Sequence, residues 1–319
     1  MDSSQDQIIK EIPYIIRLYK DGRFQRLGGT DIVPPGLDPS TNVQSKDVVI
    51  SHDTPLSVRI YIPKNANPDE KKLPLLIYYH GGGFIIETAS SPTYHKFLNL
   101  VASESNVVIV SVDYRKAPEY PVPTCFHDAW EAIKWTMQHE NRKGPDSWLN
   151  EYPDYGNIFL AGDSAGATIA HHVAIRAGSD NPGRVINLKG IVLLHPYFWG
   201  KDRIGSEDEH PFKAGPGDVW MIAHPGTSGL DDPLINPDKD PKVSDLGCSK
   251  VLVCVAENDL LKERGWYYKD ILDKNGWQGS IEVIEDKSEG HVFFLFNPTS
   301  DSAGILRKRI GTFINHADN

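Results

Sequence analysis

Gly162-Asp163-Ser164-Ala165-Gly166 fits the pattern G-x-S-x-G. It follows a short apolar run, Ile158 to Leu160, and precedes apolar residues at helical intervals from Ala165 to Ala177. A serine on so sharp a strand-to-helix turn is pushed out of the sheet with its hydroxyl exposed, as a nucleophile requires. Glycines two positions to either side leave room for the turn and for close helix packing. The positive end of the helix that follows would face the hydroxyl. A second element, His80-Gly81-Gly82-Gly83-Phe84, closes the apolar run Leu75 to Tyr79. Three consecutive glycines let the backbone approach a ligand and aim several N–H donors at one point, as an oxyanion hole needs. A phosphate cradle fits less well, because no Lys-Ser/Thr follows the glycines and no G-x-G-x-x-G opens a helix. His80 is expected to bond backbone within its own loop.

A serine at its ordinary pKa is a weak nucleophile and needs a base, itself oriented by an acid. Where such an elbow serves a triad, the chain order is serine, then carboxylate, then histidine. The histidines past Ser164 are His171, His172, His195, His210, His224, His291 and His316. His171 and His172 fall inside the helix after the serine, one facing the core and the other a neighbour. His195 ends the run Gly190 to Leu194 and could line a pocket, and His316 lies in the tail. His291, in Glu289-Gly290-His291-Val292-Phe293, follows the last predicted strand and precedes the last helix, where the base belongs. The acid should follow the strand before that, which leads into Ala256-Glu257-Asn258-Asp259. Asp259 is the choice and Glu257, nearer the strand end, its rival.

The elements that must position these residues alternate. Residues 1–45 read as irregular: an amphipathic start (Ile8, Ile9, Ile12, Ile15, Ile16), then Asp21-Gly22 and the breaker cluster Val33-Pro34-Pro35-Gly36. Val48 to Ser51 and Ser57 to Ile62 predict a hairpin about a turn at Ser51-His52-Asp53-Thr54-Pro55. Strands are predicted at 75–79, 107–112, 158–160, 190–194, 251–255 and 281–284. Helices are predicted at 98–103, 129–138, 165–177, 261–275 and 305–314, with a left-handed cap at Gly276. Near-continuous Val/Ile/Leu strands separated by helices indicate a mostly parallel sheet covered on both faces. Residues 200–240 break the pattern, with Gly, Pro, Asp and Lys around a brief apolar stretch at 219–223. They read as an insertion above the sheet. The predicted plan is a single α/β domain over 1–319, with 1–45 and about 200–240 forming a cap.

Composition narrows the function. With 319 residues, 33 Lys plus Arg against 43 Asp plus Glu give a formal charge of −10, a poor match to nucleic acid. No apolar run approaches the ~20 residues of a membrane span. Met1 to Lys10 resembles neither a secretory signal nor a transit peptide. Cys125, Cys248 and Cys254 show no CxxC spacing, which fits a reducing compartment, so a cytoplasmic location is expected. No His/Cys/Glu ligand cluster stands out, so neither metal nor cofactor is expected, and the anticipated partner is a small-molecule substrate. Candidate pocket walls are Phe84, Ile85, Tyr197, Phe198, Trp220 and Met221. Those at the end of a parallel strand, His195-Pro196-Tyr197-Phe198, are the better placed.

In order and spacing, these motifs resemble the plant carboxylesterase branch of the hormone-sensitive-lipase-like α/β-hydrolases. The matching residues are His80-Gly81-Gly82-Gly83-Phe84, Asp113-Tyr114-Arg115 with Ala117-Pro118-Glu119, Gly162-Asp163-Ser164-Ala165-Gly166, Asp259-Leu260-Leu261 with Arg264-Gly265, and Gly290-His291-Val292-Phe293. Tyr19-Lys20-Asp21-Gly22-Arg23 resembles that branch too. The resemblance implies an α/β-hydrolase fold and an N-terminal cap over the site. It carries Ser164, Asp259 and His291 over as a triad, with Gly82, Gly83 and Ala165 as oxyanion donors. Ala167-Thr168 departs from the Ala-Asn frequent in the branch. The implied activity is hydrolysis of small to medium apolar or aromatic esters. The branch also includes dehydratases and cyclases of plant metabolites, and hormone receptors that lack the histidine this chain keeps.

Overall fold

The computed structural model describes residues 7–179 and 186–316, so part of the segment read for a targeting signal, Met1 to Asp6, lies outside the described residues. Long apolar and β-branched runs build one nine-stranded sheet. Its strands are β4 (Leu37–Asp38), β5 (Val43–Val49), β6 (Ser57–Pro63), β7 (Leu73–Tyr79), β8 (Val108–Asp113), β9 (Pro153–Asp163), β10 (Leu188–Leu194), β11 (Lys250–Ala256) and β12 (Ser280–Asp286). Their spatial order is β12-β11-β10-β9-β7-β8-β6-β5-β4. Neighbours from β8 to β12 run parallel, while β4, β5, β6 and β8 pair antiparallel. The hairpin expected around residues 51–55 is the β5–β6 pair, begun earlier than predicted and leaving Ser51 in the turn.

Alternation along the strands makes two cores. Leu75, Ile77 and Tyr79 of β7 face one side with α2 (Thr124–Met137), α4 (Ala165–Ser179) and α6 (Lys262–Lys274). Leu76 and Tyr78 face the other with α1 (Pro92–Ser105) and α8 (Asp301–Asn315). Every residue of β7 is buried, as expected for a central strand covered on both faces. The helix predicted to 275 stops at Lys274, and Gly276 takes φ +74°, the left-handed conformation anticipated there.

Connections decide where a site can form. β7 leads through α1 to β8 on one side, and β9 leads through α4 to β10 on the other. Because β7 and β9 are neighbours, their carboxyl ends flank a crevice where the connections part, the usual ligand position in open α/β sheets. The glycine run follows β7, and Gly162–Gly166 follows β9.

The N-terminal region differs from the irregular reading. Residues Ile8–Ile12 (β1), Ile16–Tyr19 (β2) and Phe24–Arg26 (β3) form a separate antiparallel sheet. The isoleucines spaced like one helix face serve instead as strand residues: Ile12 and Ile16 turn inward, while Ile8 and Ile9 stay exposed. Two tight turns bring this about, with Tyr14 at φ 64° and Gly22 at φ +87°. Residues 200–240 add no strand. They contain α5 (Gly215–Ala223) and single 3-10 turns at Glu207–Glu209 and Pro237–Lys239.

Candidate active site

Ser164 sits between the last residue of β9 and the first of α4, at φ 49°. A left-handed non-glycine residue costs on the order of 1–3 kcal/mol and persists only where its surroundings hold it. Here the Ser164 N–H donates to the Leu194 carbonyl (2.9 Å), and the Ser164 carbonyl accepts from Tyr197 N–H (3.0 Å). Gly166 lets the helix start press against β7, since a Cβ there would run into the Tyr79 carbonyl.

His291 and Asp259 arrive from the ends of β12 and β11. His291 Nε2 lies 3.0 Å from Ser164 Oγ, and its Nδ1 lies 2.7 Å from Asp259 Oδ2. Glu257, the rival acid, is exposed and accepts instead from Ser288 N–H at 2.7 Å. Burial pushes the His291 imidazole down, but the charge and hydrogen bond of Asp259 outweigh it and hold His291 above the ordinary histidine value. Burial alone would raise Asp259. The charge and hydrogen bond of His291, with the Leu261 N–H, overcome this and keep it below the usual carboxylate range.

The glycine loop follows β7, beside the elbow that follows β9. Gly82 takes φ +90° and Gly83 φ +62°, and a Cβ on Gly82 would run into the Ile86 carbonyl. Among the described residues, none accepts a hydrogen bond from the N–H of Gly82, Gly83 or Ala165. His80 bonds backbone as expected: its Nδ1 donates to the Gly81 carbonyl at 2.9 Å, and burial holds its pKa well down. Its ring stacks on Tyr114 at 4.2 Å, while the Tyr114 hydroxyl donates to the His80 carbonyl at 2.6 Å.

Sequence reading missed what pins this loop to the elbow. Asp163 is buried and accepts from the hydroxyls of Tyr78 (Oδ1) and Tyr94 (Oδ2), each at 2.8 Å, and from Gly81 N–H at 3.1 Å. Burial raises its carboxyl to about 6 against the pull of the two hydroxyls. A charged type at the second position of G-x-S-x-G was the available signal, but nothing local connects it to Tyr78 or Tyr94.

Of the proposed wall residues, Phe84, Tyr197 and Trp220 meet. Phe84 lies 5.9 Å from Tyr197 and 6.0 Å from Trp220, centroid to centroid. Phe198 turns the other way, 5.4 Å from His171 and 5.0 Å from Tyr268, because neighbours on an extended segment point to opposite sides. Met221 stands on the outer side of α5, 50% exposed, one helical step from fully buried Trp220. Ile85 is buried, and its carbonyl accepts from Arg26 Nε at 2.7 Å. His171 bonds the Tyr268 hydroxyl in the core, and His172 donates to the Leu234 carbonyl. Nor does His195 line a pocket: it lies buried behind His291.

Comparison with known proteins agrees with this fold. Residues 76–295 match the profile of the alpha/beta hydrolase fold family. The Arabidopsis thaliana protein called probable carboxylesterase 7 is 47% identical over 94% of this chain and 96% of its own length. A Glycyrrhiza echinata protein named 2-hydroxyisoflavanone dehydratase is 39% identical, covering 98% of each chain. The structure of an esterase from Pyrobaculum calidifontis superposes with a TM-score of 0.70 at 27% identity, over 85% of this chain and 84% of that one. By fold, motif order and near full-length similarity, the chain belongs to the α/β-hydrolase-fold family, within the plant carboxylesterases of its hormone-sensitive-lipase-like branch.

Proposed function

We propose that this chain hydrolyses carboxylic esters with Ser164 as nucleophile, His291 as base and Asp259 as its orienting acid. The observation that carries the reading is the continuous line from Ser164 Oγ through His291 to Asp259, at 3.0 and 2.7 Å. His291 Nε2 takes the Ser164 proton as Oγ bonds to the acyl carbon. The carbonyl oxygen, now negative, is held by the N–H groups of Gly82, Gly83 and Ala165. The imidazolium gives its proton to the departing alcohol, and a water activated by the same nitrogen releases the acid. Asp259 keeps the proton on Nδ1 and stabilises the imidazolium without itself becoming protonated. No step draws on a metal or cofactor.

Phe84, Tyr197 and Trp220 pack on one another as buried apolar rings next to the glycine loop, and this apolar surround supports a preference for small to medium apolar or aromatic esters. The N-terminal sheet and residues 200–240 act as a cap on this one domain. Arg26 ties β3 to Ile85 and Ala117, and Lys10 meets Asp218 of α5 at 2.6 Å.

The test is mass spectrometry after brief exposure to a nitrophenyl ester, with Ser164→Ala alongside. An acyl group on Ser164, and a loss of on the order of 10⁴-fold or more in the variant, is expected. An unlabelled Ser164 together with undiminished turnover by Ser164→Ala would sink the reading. The relative named as a dehydratase motivates one rival, in which His291 removes a proton beside a carbonyl and the same N–H groups hold the enolate. That rival predicts loss of water from a hydroxylated substrate without any acyl-serine.

A further inference from the structure

We propose that His195 is a positioning residue for the base: its Nδ1 accepts the Val292 N–H and thereby fixes the loop that aims His291 at Ser164. The bond is 2.8 Å long and buried. Val292 follows His291 directly and stands at φ 47°, a conformation a β-branched residue adopts only when held. His195 is itself left-handed, also at φ 47°. Its backbone N–H donates to the Cys254 carbonyl of β11 at 2.8 Å, and the carbonyl just before it, on Leu194, accepts from Ser164 N–H at 2.9 Å. One residue therefore touches the segments of nucleophile, acid and base, through its neighbour, its backbone and its side chain respectively.

The protonation state follows from these contacts. A nitrogen that accepts the Val292 N–H carries a lone pair, so in the neutral ring the proton must be on Nε2. Charging the ring would destroy the acceptor and place a cation 5.8 Å, ring to ring, from His291. Burial prevents it, lowering His195 to about 3 against the attraction of Asp259, whose Oδ2 lies 3.8 Å away. Phe293 and Phe294 pack on the ring at 5.8 and 5.5 Å. The groups facing His291 are then Ser164, Asp259, His195 and, through its charge, Asp163.

The inference uses the proposed ester hydrolysis only for its kinetic readout, so the test has a second one. His195→Asn keeps an acceptor near Nδ1 and tolerates positive φ, and His195→Leu has its size without the acceptor. Should His195→Leu not fold, His195→Gly, free of strain at φ 47°, stands in. On nitrophenyl acetate the non-acceptor variants are expected to lose kcat on the order of 10²-fold, the usual consequence of a misplaced catalytic group. KM should change by less than about 3-fold. The acid limb of kcat/KM, and the His291 pKa read by imidazole NMR, should fall toward the ordinary histidine value as the Asp259 bond loosens. His195→Asn should retain most of both. Wild-type kcat and pH limb in folded His195→Leu or His195→Gly, or equal damage in His195→Asn, would overturn the inference. A wild-type protein inactive on esters would instead sink the hydrolase reading, leaving the NMR titration to decide on His195.

Discussion

The strand ends that carry Ser164, Asp259 and His291 and the segments that cover them are held by different means. Beneath the site, backbone bonds between parallel strands and side chains with almost no exposure (Asp163, His195, His80) hold the strand ends and the loops that leave them. In the cover, separate pieces of chain are joined by a few side chains. Arg26 bonds Ile85, Ala117 and Glu119; Arg264 pairs with buried Glu207; Lys10 reaches Asp218 through water-exposed arms. On the proposed reading, this difference makes chemistry and selection separable in this molecule. Changes at the strand ends should act on kcat, and changes in the cover on KM and substrate preference.

The sharpest way to break that division is Gly82→Ala. Position 82 needs φ +90°, and the added methyl meets the Ile86 carbonyl, so the loop must shift and its N–H groups with it. Loss of one oxyanion donor typically costs about 10²–10³ in kcat. The expected result is a kcat loss in that range with KM little changed, measured by steady-state hydrolysis of nitrophenyl acetate. A pure KM effect would move Gly82 from the chemistry to the cover.

pH probes the same region more gently. In the proposed mechanism His291 acts as base only when neutral, and its pKa is held above 6.5, so kcat/KM should fall about tenfold per pH unit below that raised value. Stability runs the other way. A group with a raised folded pKa stabilises fully below 6.5 and loses that contribution as pH rises through its folded value. Asp259, held below 3.8, contributes above that figure and loses its share as pH falls through the lower folded value. The ion pair is therefore complete in mildly acid solution, where the proposed base is protonated and activity should be low. Thermal unfolding from pH 5 to 8 beside the activity profile should show this opposition, and its absence from Asp259→Asn would assign it to the pair.

Much of the strand-end region was legible because its demands are local. A left-handed serine between glycines, a glycine loop after an apolar strand, and a histidine past the last strand all announce themselves within a few residues. The same logic favours Asp259 over Glu257. What escaped was contact between distant segments: Asp163 with Tyr94, His195 with Val292, Arg26 with Glu119. The N-terminal region escaped for another reason. Its isoleucines match a helical face and a strand about equally, and only the turns at Tyr14 and Gly22 settle it as sheet. Residues 200–240 carry too little periodicity to place side chains, which is why Trp220 meets Phe84 and Met221 does not.

In the cover, Arg26→Ala should have the largest effect. Its guanidinium donates to Ile85 and Ala117 carbonyls at 2.7 and 2.9 Å and forks onto Glu119 at 2.8 and 2.5 Å. Hydrogen bonds from a charged donor contribute about 1.5–3 kcal/mol when buried, less here because Glu119 is 42% exposed. A destabilisation of about 1–2 kcal/mol by urea unfolding is expected. KM should rise several-fold and acyl-length preference broaden on a series of nitrophenyl esters, while kcat on the shortest ester stays within about 3-fold. A collapse of kcat on every ester would mean that Arg26 holds the oxyanion loop itself, through Ile85, and the division between chemistry and cover would have to be redrawn there.

The smallest effect belongs to Lys10→Ala. The Lys10–Asp218 pair spans the N-terminal sheet and α5 at 2.6 Å, a distance as short as that of a latch. Both side chains are about two-fifths exposed, at 42% and 41%, so water and salt screen the attraction and two flexible arms lose freedom to make it. Exposed pairs of this kind contribute roughly 0–1 kcal/mol. Steady-state rates with Lys10→Ala should stay within about twofold on every ester tested, and 0.5 M salt should change wild type and variant alike. If instead Lys10→Ala opened the acyl range as far as Arg26→Ala does, the cover would be held cooperatively. A double variant would then fall short of the sum of the two single effects.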